Sequence, residues 1–207
     1  MSKVREVQDH YFREAKREGY VARSAYKLKE ILEKKRLIGQ GDYVLDLGCA
    51  PGAWLQIACQ HIGPAARGGL VLGLDLKEVR KGLRFCDEAL LTRVGDVFKI
   101  TPAELLELTS RRRFDAVISD MMAPTMGHHH SDHYQSIHLA RRALELACDV
   151  LRSGGSFVVK VFEGAEYPAL LDECKAHFDK VKGFKPKASR NESTEMYIIG
   201  EGFVPPK

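Results

Sequence analysis

Tyr43-Val44-Leu45-Asp46-Leu47-Gly48-Cys49-Ala50-Pro51-Gly52-Ala53-Trp54 decides how this chain folds. Its first five residues read as a core strand. The small residues after them read as a tight turn where backbone can approach a ligand closely, and a helix follows. The spacing is Asp-x-Gly-x-x-x-Gly, with Ala50 where many nucleotide loops carry a middle glycine, which weakens a dinucleotide reading. Outward from this turn, apolar segments alternate with helical patterns, as in βαβ units on a mostly parallel sheet. Further strands are expected at Leu70–Leu74, Leu91–Val94, Ala116–Ser119, Ser156–Val161 and Glu195–Ile199, with helices near 54–61, 78–88, 102–110, 133–151 and 167–178. Pro102 suits the first turn of its helix, and Gly154-Gly155 suits a turn between helix and strand. Upstream, residues 4–18 look like a polar helix. Ser24 reads as the N-cap of a second helix running to Arg36, with Ala25, Leu28, Ile31 and Leu32 on one face and Lys27 beside them. Residues 1–40 thus read as a basic helical extension packed on the core of a single domain spanning 1–207.

Composition narrows the class. With 207 residues, 44% of them apolar, the chain can bury one α/β core. No apolar run is long enough to cross a bilayer, and the N-terminus lacks the apolar core of a signal peptide, so a cytoplasmic protein with no membrane partner is expected; a monomer is the default expectation, with nothing in the sequence deciding it. Cys49, Cys59, Cys86, Cys148 and Cys174 are odd in number, scattered, and never in a C-x-x-C pair, which argues against a disulfide framework or a zinc ribbon. The net charge is +4, yet residues 1–40 hold eleven Lys/Arg against six Asp/Glu. A second basic stretch runs through Lys175, Lys180, Lys182, Lys185, Lys187 and Arg190, and two basic segments can flank a polyanion site. His128, His129 and His130 with Asp132 and His133 invite a metal reading. Adjacent histidines do not readily share one face, and no cysteine completes a tetrahedral set, so no metal is expected.

Four charged residues stand in distinctive settings: Lys27 in Ser24-Ala25-Tyr26-Lys27-Leu28, Asp120 in Ser119-Asp120-Met121, Lys160 in Val158-Val159-Lys160-Val161-Phe162, and Glu195 in Ser193-Thr194-Glu195-Met196-Tyr197. Gathered from four distant segments they would form one buried charge cluster, costly unless paired and hence a mark of function. Asp75 ends the second strand, where a carboxylate can accept from two ribose hydroxyls. Asp96 follows the third, where it can accept from an adenine amino group.

The segments around Lys27, the Asp46–Trp54 turn, Ser119-Asp120-Met121-Met122-Ala123-Pro124 and Ser156–Phe162 resemble the RrmJ/FtsJ family of ribose 2′-O-methyltransferases acting on RNA, and the resemblance runs from about Arg13 to Gly200. The resemblance implies a Rossmann-like S-adenosylmethionine-dependent methyltransferase fold. Its seven-stranded, mostly parallel sheet has helices on both faces and an antiparallel hairpin near Glu195. It implies methyl transfer to a ribose 2′-hydroxyl, and for bacterial members of this size the target is a uridine of large-subunit (23S) ribosomal RNA, free or within the assembled 50S particle. Transfer RNA or another RNA is the alternative. The family's catalytic tetrad carries over to Lys27, Asp120, Lys160 and Glu195, and its cofactor contacts to Gly52, Trp54, Asp75, Asp96 and Asp120, with Asp46 and Gly48 from the same turn. The chain departs from the family pattern in Met121-Met122, one residue more than expected before Ala123-Pro124, in Thr125, and in the His-rich stretch from Gly127 to Tyr134.

Within that reading Lys160 either takes the hydroxyl proton as a neutral base or stabilises a developing alkoxide as a cation. Asp120 directs its amine, and Glu195 orients Lys27 and the ribose. Tyr26 either stacks on a base or belongs to the core. A nicotinamide-dependent oxidoreductase is disfavoured by Ala50, and a non-enzymatic RNA-binding factor by the four charges together.

Overall fold

The computed structural model describes residues 3–123, 129–189 and 193–206, the side chains of residues 3–9 and 129 excepted. Pro124, Thr125, Gly127, His128, Arg190 and the histidine ring of residue 129 therefore fall outside the described residues. In chain order the elements are α1 (Lys3–Glu18), α2 (Ala25–Lys34), β1 (Tyr43–Leu47), α3 (Ala53–Ile62), β2 (Leu70–Asp75), β3 (Leu90–Val94), α4 (Pro102–Glu107), β4 (Phe114–Ser119), α5 (His129–Val150), β5 (Leu151–Phe162), α6 (Tyr167–Lys175), β6 (Phe178–Phe184) and β7 (Glu195–Phe203). The seven strands lie in the order β3-β2-β1-β4-β5-β7-β6. The first five are parallel, and β7 runs antiparallel between β5 and β6. Strand order reverses between β1 and β4, and in open α/β sheets such a switch point opens a crevice at the carboxyl ends of the strands. Asp46 lies near the end of β1 and Asp120 follows β4 directly.

Alternation along the strands feeds two core layers. Val44, Val71, Ala116, Ile118, Val158, Tyr197 and Ile199 pack with Leu28 and Ile31 of α2 and with Trp54, Leu55 and Ile57 of α3. Leu45, Leu47, Leu72, Leu74, Phe114, Val117, Phe157 and Val159 pack with Leu105 of α4, Leu146 of α5 and Leu170 of α6. Strands covered on both faces have no polar side, which is why β1, β2 and β4 read as nearly continuous apolar runs.

Four local expectations need correction. Residues 78–88 form an irregular connection and not a helix. Val79, Leu83 and Cys86 do reach the core at helix-like spacing, but Gly82 (φ +67°) and Phe85 (φ +75°) hold left-handed backbone that an α-helix excludes. Strand β6, the seventh strand that the resemblance implied, was not placed by the residue pattern: it is an edge strand whose exposed Lys180 and Lys182 mask its alternation, a usual way of protecting an edge. Gly154-Gly155 lies inside β5, where the register with β4 shifts between Phe114 and Ala116. Ser24 has helical backbone and makes no side-chain cap, whereas Thr101 forms a full capping box with Glu104 at the start of α4. No helix among the described residues is long and apolar enough to cross a membrane, and all five cysteines are free.

Candidate active site

One half of the crevice is built on the turn after β1. Gly48 N–H and Cys49 N–H donate to Leu74 O at 2.8 and 3.3 Å. Gly48 (φ +79°) is hemmed in: a Cβ there would lie 2.5 Å from Met121 Cγ and 2.9 Å from Met121 Cα. Gly52 (φ +116°) opens α3, and a Cβ on it would meet Leu83 at 2.6 Å. Asp75 accepts from Ala50 N–H on one carboxylate oxygen and from Lys77 N–H on the other, both at 2.9 Å, so it already shapes the turn. Asp96 accepts from Phe98 N–H at 3.0 Å. Across from it, the Arg142 guanidinium of α5 donates to Val97 O at 2.9 Å and Ile100 O at 3.1 Å, fixing the connection that carries Asp96.

Two predicted cofactor residues stand in unexpected environments. Asp46 is completely buried, and neither carboxylate oxygen has a hydrogen-bond partner. Burial, then the charges of Asp120 and Asp75, push its carboxyl well above the usual carboxylate range. The Trp54 indole is buried too, donating from Nε1 to Ser24 O at 2.9 Å and packing on the Tyr197 ring at 5.6 Å. Its side chain joins α3 to the start of α2, and its backbone lies in the first turn of a helix whose Gly52 N-cap offers no side-chain oxygen.

The other half is a lattice of side chains. Lys160 is 4% exposed, and its Nζ lies 3.0 Å from Asp120 Oδ1 and 2.6 Å from Asp120 O. Lys27 Nζ of α2 lies 2.7 and 2.8 Å from the two oxygens of Glu195. Tyr197 links these pairs, its hydroxyl 2.8 Å from Asp120 Oδ1 and 3.1 Å from Glu195 Oε1. Ser189 Oγ donates to Glu195 Oε1 at 3.0 Å. The sheet register produces this meeting, since Lys160 stands opposite Tyr197 and Phe162 opposite Glu195, which puts alternate residues on one face. Burial works to raise Asp120, but the ammonium groups of Lys160 and Lys27, with hydrogen bonds from Lys160 and Tyr197, outweigh it and hold the carboxyl below its ordinary value. Burial and the charges of Asp120 and Glu195 push the Tyr197 phenol well upward, so it keeps its proton as the bridging donor.

Lys27, Asp120, Lys160 and Glu195 are thus brought together, with the charge of Asp120 acting on Asp46, while Asp75 stands at the end of β2 and Asp96 just past the end of β3. Tyr197 and Ser189 escaped the sequence reading. Tyr197 had a usable signal, as it lies two residues after Glu195 on one strand and must share its face. Tyr26 belongs to a buried aromatic group with Tyr11 and Tyr20, at 5.4 and 5.8 Å. Beside the lattice, Glu30 of α2 accepts from the N–H groups of Lys187 and Ala188, and Lys34 lies over the Phe184 ring at 5.2 Å. The connection from β6 to β7 is thereby laid against α2, with Lys182, Lys185 and Lys187 exposed.

Comparison with known proteins identifies the family. The family model for FtsJ-like methyltransferase matches residues 20–203. A protein of Syntrophobacter fumaroxidans named ribosomal RNA large subunit methyltransferase E is 46% identical over 196 residues, covering 94% of this chain and 95% of its own. One of the same name from Methanothrix thermoacetophila is 44% identical over 198 residues, covering 96% and 74%. A crystal structure of a Plasmodium falciparum protein described as a ribosomal RNA methyltransferase superposes with a TM-score of 0.78 at 24% identity, over 90% of this chain and all of that one, which shows a shared fold. By a family match across nearly its whole length and by relatives of this identity, the chain belongs to the FtsJ-like methyltransferases.

Proposed function

We propose that this chain transfers a methyl group from S-adenosylmethionine to the 2′-hydroxyl of a uridine in large-subunit ribosomal RNA, in the cytoplasm where ribosomes are made. The observation that carries the reading is the Lys160–Asp120 pair, 3.0 Å apart beside the Asp46–Gly52 turn at the switch point of the sheet. The names of the relatives, both large-subunit ribosomal RNA methyltransferases, point to the same substrate.

The residues present fit that cofactor. The turn keeps side chains away at Gly48 and Gly52, Asp46 buries two acceptor oxygens without a partner, and Asp75 and Asp96 offer carboxylate lone pairs beyond those their backbone donors use. Gly52, the backbone of Trp54, Asp46, Gly48, Asp75, Asp96 and Asp120 are the groups that hold it. S-adenosylmethionine, when bound, supplies a methyl already activated on a sulfonium.

The difficulty is the acceptor, because a ribose hydroxyl is a weak nucleophile at neutral pH. Asp120 occupies two directions at the Lys160 nitrogen, through its main-chain oxygen and through Oδ1. The ammonium paired with Asp120 must first release a proton to solvent; once it is neutral, these two oxygens satisfy both N–H bonds and the lone pair is left to take the hydroxyl proton. The new ammonium then sits against the Asp120 carboxylate, which Tyr197 also supports. Lys27 and Glu195 form a neutral pair that orients the ribose, and the exposed lysines beside α2 contact RNA phosphates. Labelled S-adenosylmethionine should mark large-subunit RNA and not transfer RNA, and the labelled nucleotide should resist alkaline cleavage, which a 2′-O-methyl blocks. A methyl found on a base, or on transfer RNA alone, overturns the assignment.

A further inference from the structure

Strand β5 extends past its neighbour. Its last pairing with β4 is Val159 with Ser119, while Lys160, Val161 and Phe162 continue toward the crevice flanked by a strand only on the β7 side. Backbone groups facing the vacated side need partners or they are orphaned at a cost. Helix α5 provides them from side chains. Phe162 N–H donates to Ser136 Oγ at 3.0 Å, and Phe162 O receives a hydrogen bond from His133 Nδ1 at 2.8 Å. Ser136 Oγ in turn donates to His133 O at 2.7 Å. Glu166 N–H, at the start of α6, donates to His133 Nε2 at 3.1 Å. A carbonyl only accepts and an amide N–H only donates, so these two contacts fix the ring as the Nδ1–H tautomer. The ring is buried, and a Cβ on Gly164 would lie 2.7 Å from it, so the 162–166 turn is wrapped around a single imidazole.

We infer that His133, with Ser136, is a positioning residue for Lys160: the imidazole substitutes for the missing length of β4 and fixes the end of β5 so that the Lys160 amine stays on Asp120. The inference rests on the reading of Lys160 as the proton acceptor, and the test separates the two. Lys160→Ala is assayed first with large ribosomal subunits as methyl acceptor, and full activity in that variant would sink the reading of Lys160 itself. Given an inactive Lys160→Ala, His133→Leu should lower kcat about 10- to 100-fold, the scale expected when a reacting group is displaced by about 1 Å. S-adenosylmethionine affinity by calorimetry should stay within about 2-fold, because the clamp touches no residue of the cofactor half. Amide exchange at Phe162 and Glu166 should quicken. His133→Asn, whose side-chain N–H can replace Nδ1–H, should recover kcat to within about 3-fold of the parent. Ser136→Ala, which removes the acceptor for Phe162 N–H and the donor to His133 O but keeps the imidazole, serves if His133→Leu does not fold, with the same split expected. An unchanged kcat, a fall matched by lost cofactor affinity, or no recovery with His133→Asn overturns the inference.

Discussion

Around the ends of β1, β2 and β3 the crevice is shaped by main chain: glycines at 48 and 52, Ala50 N–H on Asp75, Phe98 N–H on Asp96, and the opening turn of α3. Around the ends of β4, β5 and β7 it is shaped by side chains that donate and accept among themselves, with Lys27, Asp120, Lys160, Ser189, Glu195 and Tyr197 in one connected set. A site made of main chain is specified over a few neighbouring residues and holds its shape through hydrogen bonds internal to the turn. A site made of buried charges depends on every member, since removing one leaves a partner unsatisfied in a low-dielectric setting. The two halves should therefore respond differently to substitution.

The largest effect belongs to the side-chain half. Lys160→Ala removes the proposed proton acceptor, and general-base catalysis is worth about 10²- to 10⁴-fold, so kcat should fall by about 10³-fold. Calorimetry should show S-adenosylmethionine affinity falling far less than kcat, because Lys160 reaches the cofactor groups only through Asp120 and contacts no group of the turn. A comparable loss of cofactor affinity would mean that the halves are one site.

Gly48 is where they touch. Gly48→Ala puts a methyl into Met121, next to Asp120, at a positive φ that alanine adopts with strain. Chemical denaturation should show a loss of about 2–3 kcal/mol, and both cofactor affinity and kcat should fall. If only cofactor affinity falls, the Met121 contact does not transmit between the halves.

The division also decides what a single sequence reveals. The Asp46–Gly52 turn was legible because strand, small residues and helix follow one another within a dozen positions. Lys160 and Asp120 were legible as charged residues at the ends of apolar strands. The link between the pairs was not, because Tyr197 looks like any aromatic in a core strand until the register sets it opposite Lys160. His133 drew notice only as part of a His-rich stretch weighed for metal, and no pattern showed that it is buried at the start of α5 with both ring nitrogens engaged. Residues 78–88 misled for the opposite reason: their apolar spacing is helical and their packing is real, but the backbone at Gly82 and Phe85 is not. Periodicity reports which side chains are buried, not the path the chain takes to bury them.

Two buried carboxyls give the halves opposite pH signatures. Asp46 has a raised folded value, so the stability it carries is complete below its unfolded value, about 3.9, and is lost as pH climbs toward the folded one. Asp120 has a depressed folded value, so its contribution is present above about 3.9 and lost as pH falls through the folded one. Urea unfolding across this range should show Asp46→Asn gaining on the parent as pH rises and Asp120→Asn falling behind it. Parallel trends in the two variants would show that the carboxyls titrate as one group.

The smallest expected change tests the claim that the cofactor half works through main chain. Trp54 stands in the first turn of α3, yet its indole points into the core, bonded to Ser24 O and packed on Tyr197. Trp54→Phe keeps an aromatic ring there and removes the Nε1–H donor together with some packing volume, at a cost of about 1–2 kcal/mol in stability. The backbone N–H at residue 54 is untouched, so S-adenosylmethionine affinity should remain within about 2-fold of the parent at a temperature where both are folded. A loss of about 10-fold or more, worth about 1.4 kcal/mol, would place the indole itself against the cofactor, and the contrast between a main-chain half and a side-chain half would fail at the residue chosen to represent it.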